Sequence, residues 1–161
     1  MQEKILEQLY ENYAKELTIY AYSLTKQMSE AESLVSDAFF QLSCQENPPP
    51  AIKFWLFRVV KNHFIDQQRK KKRWRWVLFS SQQSDEKPNP SEQLLQKESQ
   101  QQLHQAIAQL KAPYQEVLIL FYFIDWPVQV IAEYLNYSNG QVRTILYRGR
   151  KKLKEVLSDE K

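Results

Sequence analysis

Apolar side chains recur at intervals of three and four along most of this chain, the spacing that gathers them on one side of an α-helix. Leu6, Leu9, Tyr10, Tyr13, Leu17, Tyr20 and Leu24 predict a first helix or helix pair, and Leu34, Val35, Ala38, Phe39 and Leu42 a second. Ser29-Glu-Ala-Glu32 reads as a capping box opening that second helix, whose other face is acidic. Asn47-Pro-Pro-Pro50 then forces a loop, because each proline lacks an amide donor and restrains the residue before it. From Phe54 a third helix resumes with Leu56, Val60 and Phe64 on one stripe; Arg58, Lys61, Asn62, Asp66 and Arg69 lie away from it.

Ser80 to Ser91 contains two prolines and no large apolar residue, the composition of an exposed linker. The periodicity restarts beyond it. Leu103, Ala106, Ile107 and Leu110 mark one amphipathic helix, Pro113 punctuates, and Tyr114 to Ile124 forms a strongly apolar one. Val128, Ile131, Ala132 and Leu135 line a short helix, and Val142, Ile145, Leu146, Leu153 and Val156 the last. The expected fold class is therefore all-α, with two small helical domains, 1–79 and 98–161, joined by a flexible linker at 80–97.

Between the last two helices, Asn136-Tyr-Ser138 reads as a tight turn, with Asn136 suited to the left-handed C-terminal position and Ser138 with Gln141 forming a capping box. A short helix, a tight turn and a second helix make a helix-turn-helix, whose second helix enters the DNA major groove. Arg143, Tyr147 and Arg150 share one face of that helix by their spacing, with Thr144 and Arg148 beside it and the apolar set opposite.

Charge sharpens this picture. Net charge is only +3, but residues 53–75 hold nine basic side chains and one acidic, and residues 143–161 hold seven basic and three acidic. Acidic stretches separate them: residues 1–52 carry three basic and eight acidic groups, and residues 76–142 three and seven. Two basic blocks, each at the end of a helical pattern, suit a partner long enough to be gripped twice, and DNA is one.

Composition removes other classes. With only Gly140 and Gly149, the chain has no glycine-rich phosphate loop, dinucleotide fingerprint or nucleophile elbow. Cys44 is the only cysteine, so no internal disulfide or thiolate zinc cluster is expected, and a reducing, cytoplasmic location follows. The start, Met1-Gln-Glu-Lys-Ile-Leu-Glu7, is acidic and amphipathic, unlike a secretory signal. The longest apolar run, Val117 to Ile124, is too short to cross a bilayer and reads as a buried helix.

His63 and His104 fall in different domains without convergent carboxylates, and Glu30 and Glu32 point apart, so no metal site, cofactor or catalytic pair is expected. Trp74 and Trp76, set among basic residues, suit either stacking on unpaired bases or packing against the first domain, and packing is the favoured reading. A self-sufficient helix-turn-helix regulator is the alternative that the C-terminal helices alone would fit; an enzyme acting on nucleic acid lacks a cluster to carry chemistry.

Two segments resemble the extracytoplasmic-function (ECF) group of the sigma-70 family. Trp55-Leu-Phe-Arg-Val-Val-Lys-Asn-His-Phe-Ile-Asp-Gln-Gln-Arg69 is similar to the family's second conserved region. Leu110-Lys-Ala-Pro-Tyr-Gln-Glu-Val-Leu118, then Ile131-Ala-Glu-Tyr-Leu135 and Ser138-Asn-Gly-Gln-Val-Arg-Thr-Ile-Leu-Tyr-Arg-Gly-Arg150, is similar to its fourth. The resemblance implies a non-enzymatic factor that gives bacterial RNA polymerase core its promoter recognition and DNA melting, under control of a membrane-bound anti-sigma factor in a cell-envelope stress response. It implies that the first domain binds the beta-prime clamp and the minus-ten element, and the second the beta flap and the minus-thirty-five element.

Carried over by position, the resemblance assigns polymerase docking to Glu32, Leu34, Val35, Asp37, Phe39 and Phe40. It assigns capture of a flipped base to the Cys44–Lys53 loop with Trp55, Arg58, Lys61 and Asn62, and extends the minus-ten contacts to Arg69. Asp66 and Arg69 fit equally a structural pair three residues apart. Upstream-element reading falls to Arg143, Thr144, Tyr147 and Arg148. The triple proline and Ile145, where the family often has Arg, depart from its pattern.

Overall fold

The computed structural model describes residues 2–77 and 98–159. Backbone contacts divide the chain into two compact units, Met1–Glu92 and Gln93–Lys161. The stretch read as a linker, 80–97, lies outside the described residues. Every regular element among the described residues is an α-helix.

The first unit consists of α1 (Glu3–Thr25), α2 (Met28–Ser43) and α3 (Ile52–Val77). The first stripe of apolar residues thus forms one helix rather than a pair. α1 stops where Lys26 turns left-handed at φ 59° and its N–H donates to the Tyr22 carbonyl at 2.7 Å. α2 begins one residue before Ser29: extended Gln27 is the N-cap, and its carbonyl accepts from Ala31 N–H at 3.0 Å. The capping box expected at Ser29–Glu32 is therefore not formed. Thr25 Oγ1 accepts the Gln27 N–H at 3.3 Å, and this local link takes the place of a side-chain cap.

Core contacts explain the topology. Leu17, Tyr20 and Ala21 of α1 meet Leu34, Ala38 and Leu42 of α2 and Leu56, Phe57 and Val60 of α3, all fully buried. The Tyr20 and Phe57 rings pack at 4.9 Å between centroids. Phe57, not Phe64, is the large aromatic of the α3 core; Phe64 stands half-exposed. Each of the larger side chains removed from water stabilises the unit by about 2 kcal/mol, which holds three helices together without a disulfide.

The second unit consists of α4 (Glu98–Ala108), α5 (Tyr114–Tyr122), α6 (Val128–Leu135) and α7 (Asn139–Asp159). Val117, Leu118, Ile119 and Leu120 of α5 are buried, so the apolar run is the central helix that the sequence pattern predicts. Around it lie Ile107 of α4, Ile131 and Ala132 of α6, and Val142, Leu146 and Leu153 of α7. Trp126, between α5 and α6, packs edge-on against Tyr134 at 5.3 Å. α7 approaches α5 at Gly149, where an added Cβ would sit 3.3 Å from Leu118 Cδ1.

Candidate nucleic-acid interface

The α6–α7 turn is held by local chemistry. Asn136 adopts φ 60°, ψ 44°, a left-handed conformation that asparagine tolerates, and the Tyr137 N–H reaches back to the Ala132 carbonyl at 2.9 Å. Ser138 N–H donates to Gln141 Oε1 at 2.8 Å, while Gln141 N–H donates to Ser138 Oγ at 3.1 Å. This reciprocal pair satisfies two amide donors at the start of α7 and sets its direction against α6. Both features are those expected from the sequence.

On α7, Val142 and Leu146 turn inward, while Arg143, Thr144, Tyr147 and Arg148 are all exposed. Tyr147 is 61% exposed, and Lys151 Nζ lies 5.1 Å from its ring centre. Thr144 Oγ1 donates to the Gly140 carbonyl at 3.0 Å, so its hydroxyl is committed to its own helix as a donor but keeps acceptor capacity and a methyl group outward. Ile145 is half-buried.

Arg150 behaves differently from its neighbours on the same helix. Its Nε donates to the Tyr122 hydroxyl at 2.7 Å, and its guanidinium lies over the rings of Phe121 and Tyr122 at 5.5 and 5.8 Å. α5 thus holds the Arg150 fork in one orientation. Lys152 Nζ lies over the Tyr114 ring at 5.3 Å. No local pattern signals the Tyr122–Arg150 pair, since its partners are 28 residues apart.

In the first unit, Trp55, Arg58, Asn62 and Arg69 recur at spacings that place them along one side of α3, and Lys61 adjoins Arg58 and Asn62. Arg58, Asn62 and Arg69 are exposed, Trp55 and Lys61 half-buried. The Arg58 guanidinium lies 5.8 Å from the Phe54 ring centre. On α2 the six residues assigned to polymerase docking divide: Leu34, Val35 and Phe39 are buried in the unit, and Phe39 meets Tyr10 edge-on at 5.0 Å. Glu32, Asp37 and Phe40 face outward, with Phe40 69% exposed. Of these six, Glu32, Asp37 and Phe40 are the ones open to a partner; the other three hold the helix in place.

Both histidines have structural surroundings. Gln41 donates its side-chain amide to His63 Nε2 at 2.6 Å. His104 stacks on Phe123 at 3.7 Å, and burial pushes it down to about 4. Among the described residues, no group of three or more His, Cys, Asp or Glu is placed to hold a metal ion. Trp74, expected to pack against its domain, is instead 61% exposed, because the part of α2 beside it presents the polar Ser29, Glu30 and Ser33 rather than apolar side chains. The side chain of Trp76 lies outside the described residues.

A helix-turn-helix with an outward basic face, on a chain whose other unit is a three-helix bundle ending in a second basic helix, defines a DNA-binding class of protein. Comparison with known proteins narrows it. The family model for Sigma-70 region 2 matches residues 9–74, and that for Sigma-70, region 4 matches residues 100–153. The chain is 26% identical over 159 residues to RNA polymerase sigma factor YlaC of Bacillus subtilis, covering 95% of this chain and 92% of that protein. It is 29% identical over 170 residues to ECF RNA polymerase sigma factor SigL of Mycobacterium tuberculosis, covering 96% and 90%.

Among solved structures, the complex of the sigma factor RpoE with the anti-sigma factor NepR from Bartonella quintana shares the fold. Its TM-score is 0.71 at 23% identity, over 98% of this chain and 99% of that one. CnrH in complex with the cytosolic domain of CnrY matches with a TM-score of 0.70 at 18% identity, over 99% and 92%. The two models together match most of the chain, which belongs to the sigma-70 family. It is a factor of transcription initiation and not an enzyme. Among the described residues no helix is long and apolar enough to cross a membrane.

Proposed function

We propose that this sigma factor docks on RNA polymerase core through the outward face of α2, at the beta-prime clamp, and through its second unit at the beta flap. α3 then engages the minus-ten element with Trp55, Arg58, Lys61, Asn62 and Arg69, and α7 reads the minus-thirty-five element with Arg143, Thr144, Tyr147 and Arg148. The observation that carries the reading is the rigidly capped α7, whose exposed side chains from Arg143 to Arg148 are the types that donate to base edges and phosphates. The functional division follows the domain limits read from the sequence, 1–79 and 98–161, with 80–97 as the linker.

Regulation by an anti-sigma factor, membrane-bound and released by cell-envelope stress, completes the proposal, with the sigma factor itself acting in the cytoplasm. Support comes from the two similar structures, in which RpoE is held by the anti-sigma factor NepR and CnrH by the cytosolic domain of CnrY. The test is co-elution of the purified chain with RNA polymerase core on a sizing column, followed by transcription from candidate promoters. A stoichiometric complex that initiates at defined sites is expected. A folded, inhibitor-free chain that binds duplex DNA alone and never joins the core would instead identify a self-sufficient regulator.

A further inference from the structure

α7 meets α5 where Gly149 lets it approach the fully buried Leu118. Leu118 is the middle residue of α5, and a tyrosine closes each end of that helix, Tyr114 on one side and Tyr122 on the other. Arg150 and Lys152 leave α7 on opposite sides of Gly149, turned about 100° one way and about 60° the other at 3.6 residues per turn. Arg150 Nε donates to the Tyr122 hydroxyl at 2.7 Å, and Lys152 Nζ lies 5.3 Å from the centre of the Tyr114 ring. The two cations are about 3 Å apart along α7, yet they reach tyrosines about 12 Å apart along α5, at 1.5 Å per residue. α7 therefore runs across α5, tied on either side of the point where the two helices meet.

We propose that Tyr114 and Tyr122 are positioning residues for base reading: with Lys152 and Arg150 they brace α7 from both sides and hold its N-terminal half at one angle to α5. The inference rests on the reading of α7 as the helix that contacts the minus-thirty-five element. Val142 and Leu146 hold the inner side of α7 down, but apolar contact is non-directional and leaves a helix free to pivot. A hydrogen bond and a cation seated over a ring are directional, and they oppose that pivoting. The capped turn sets α7 against α6, and the two tyrosines set it against α5. Arg143 lies six residues from Gly149, about 9 Å along the helix, so a swing of about 10° would carry it about 1.5 Å. A hydrogen bond to a base edge, about 2.9 Å at its best, does not survive such a shift. Arg148 adjoins the pivot and would move only about a sixth as far. The brace thus protects what Arg143 reads far more than what Arg148 touches.

The test uses a fluorescein-labelled duplex enriched by the full chain from a randomised pool, with affinities read by anisotropy. Tyr114→Leu should weaken binding about threefold, while Tyr114→Phe, which keeps a ring beneath Lys152, should bind as wild type does. Arg143→Ala alone should cost about tenfold, and adding Tyr114→Leu to it should cost nothing more, because the tyrosine acts through the placement of the arginine. Added to Arg148→Ala, Tyr114→Leu should still cost about threefold. Lys152→Gln leaves α5 untouched and should show the same non-additivity with Arg143→Ala. Losses that multiply equally with Arg143→Ala and Arg148→Ala would overturn the proposal, since a general loosening of the unit produces that pattern. So would a Tyr114→Phe chain as weak as Tyr114→Leu, or wild-type affinity in both Tyr114→Leu and Lys152→Gln. If the full chain enriched no sequence, the base-reading role of α7 would fall and the brace with it; a preferred duplex with multiplying losses would remove the brace alone.

Discussion

Replacing Tyr122 with phenylalanine deletes one oxygen and leaves the ring beneath Arg150 in place. The lost interaction is a 2.7 Å hydrogen bond to a guanidinium Nε, with the cation–π contacts at 5.5 and 5.8 Å retained. Hydrogen bonds to charged groups contribute about 1.5–3 kcal/mol when buried. Because both partners here are solvent-exposed, about 1 kcal/mol is the reasonable scale. If Arg150, oriented by Tyr122, presents its remaining N–H groups to a DNA phosphate, Tyr122→Phe should weaken binding to the upstream element roughly fivefold, since 1.4 kcal/mol is tenfold.

Salt dependence separates orientation from charge. Tyr122→Phe keeps the cation, so the slope of log affinity against log salt should stay unchanged, whereas Arg150→Ala should reduce it by about 0.9, the share of one phosphate contact. Fluorescence anisotropy with a labelled minus-thirty-five duplex, at three or more salt concentrations, reads both. The double variant should bind no more weakly than Arg150→Ala, because the tyrosine acts through the arginine. Fully additive losses would refute the coupling, and an unchanged slope in Arg150→Ala would show that the guanidinium only packs α7 against α5.

Three further outcomes follow from the same structure. Ser138→Ala breaks the reciprocal cap of α7 and should cost about 1 kcal/mol, lowering the second unit's thermal midpoint by roughly 4–8 °C in circular dichroism; an unshifted midpoint would deny the cap its role. His104 has a folded pKa of about 4 against 6.5 when unfolded, so between these values the unfolded chain binds more protons. Stability is then full above pH 6.5 and falls as pH drops toward 4, by about 2 kcal/mol after allowance for solvent screening; urea midpoints at pH 7 and 4.5 should show this, and His104→Gln should flatten it. Gly149→Val drives a branched side chain toward Leu118, where even a Cβ would lie 3.3 Å away, and should destabilise the second unit by about 1–3 kcal/mol in denaturant unfolding.

What could be read in advance was what short-range chemistry decides. The Ser138–Gln141 cap and the left-handed Asn136 depend on residues within three or four positions, so their pattern in the chain already implied their geometry. The same reasoning misjudged Ser29, because a Thr25–Gln27 link just upstream started α2 earlier. Periodicity placed α3 correctly but chose Phe64 over Phe57 for its core, a question decided by where Tyr20 of α1 meets it. Family position alone drew Leu34, Val35 and Phe39 into one list with Phe40, although burial separates them. The Tyr122–Arg150 and Tyr114–Lys152 pairs arise only when distant helices pack, which no local pattern encodes.

The division of α2 into an inner and an outer set bears on how such a factor competes for a shared enzyme. Leu34, Ala38 and Leu42 carry the fold, while Glu32, Asp37 and Phe40 face outward, so the second set can drift with little penalty to the first. In a cell where several interchangeable subunits draw on one limited pool of polymerase, the share each obtains follows its concentration and its affinity. If the outward face of α2 is the docking face proposed above, three positions on one helix would let a lineage retune that share, promoter choice and thermal stability being left as they were.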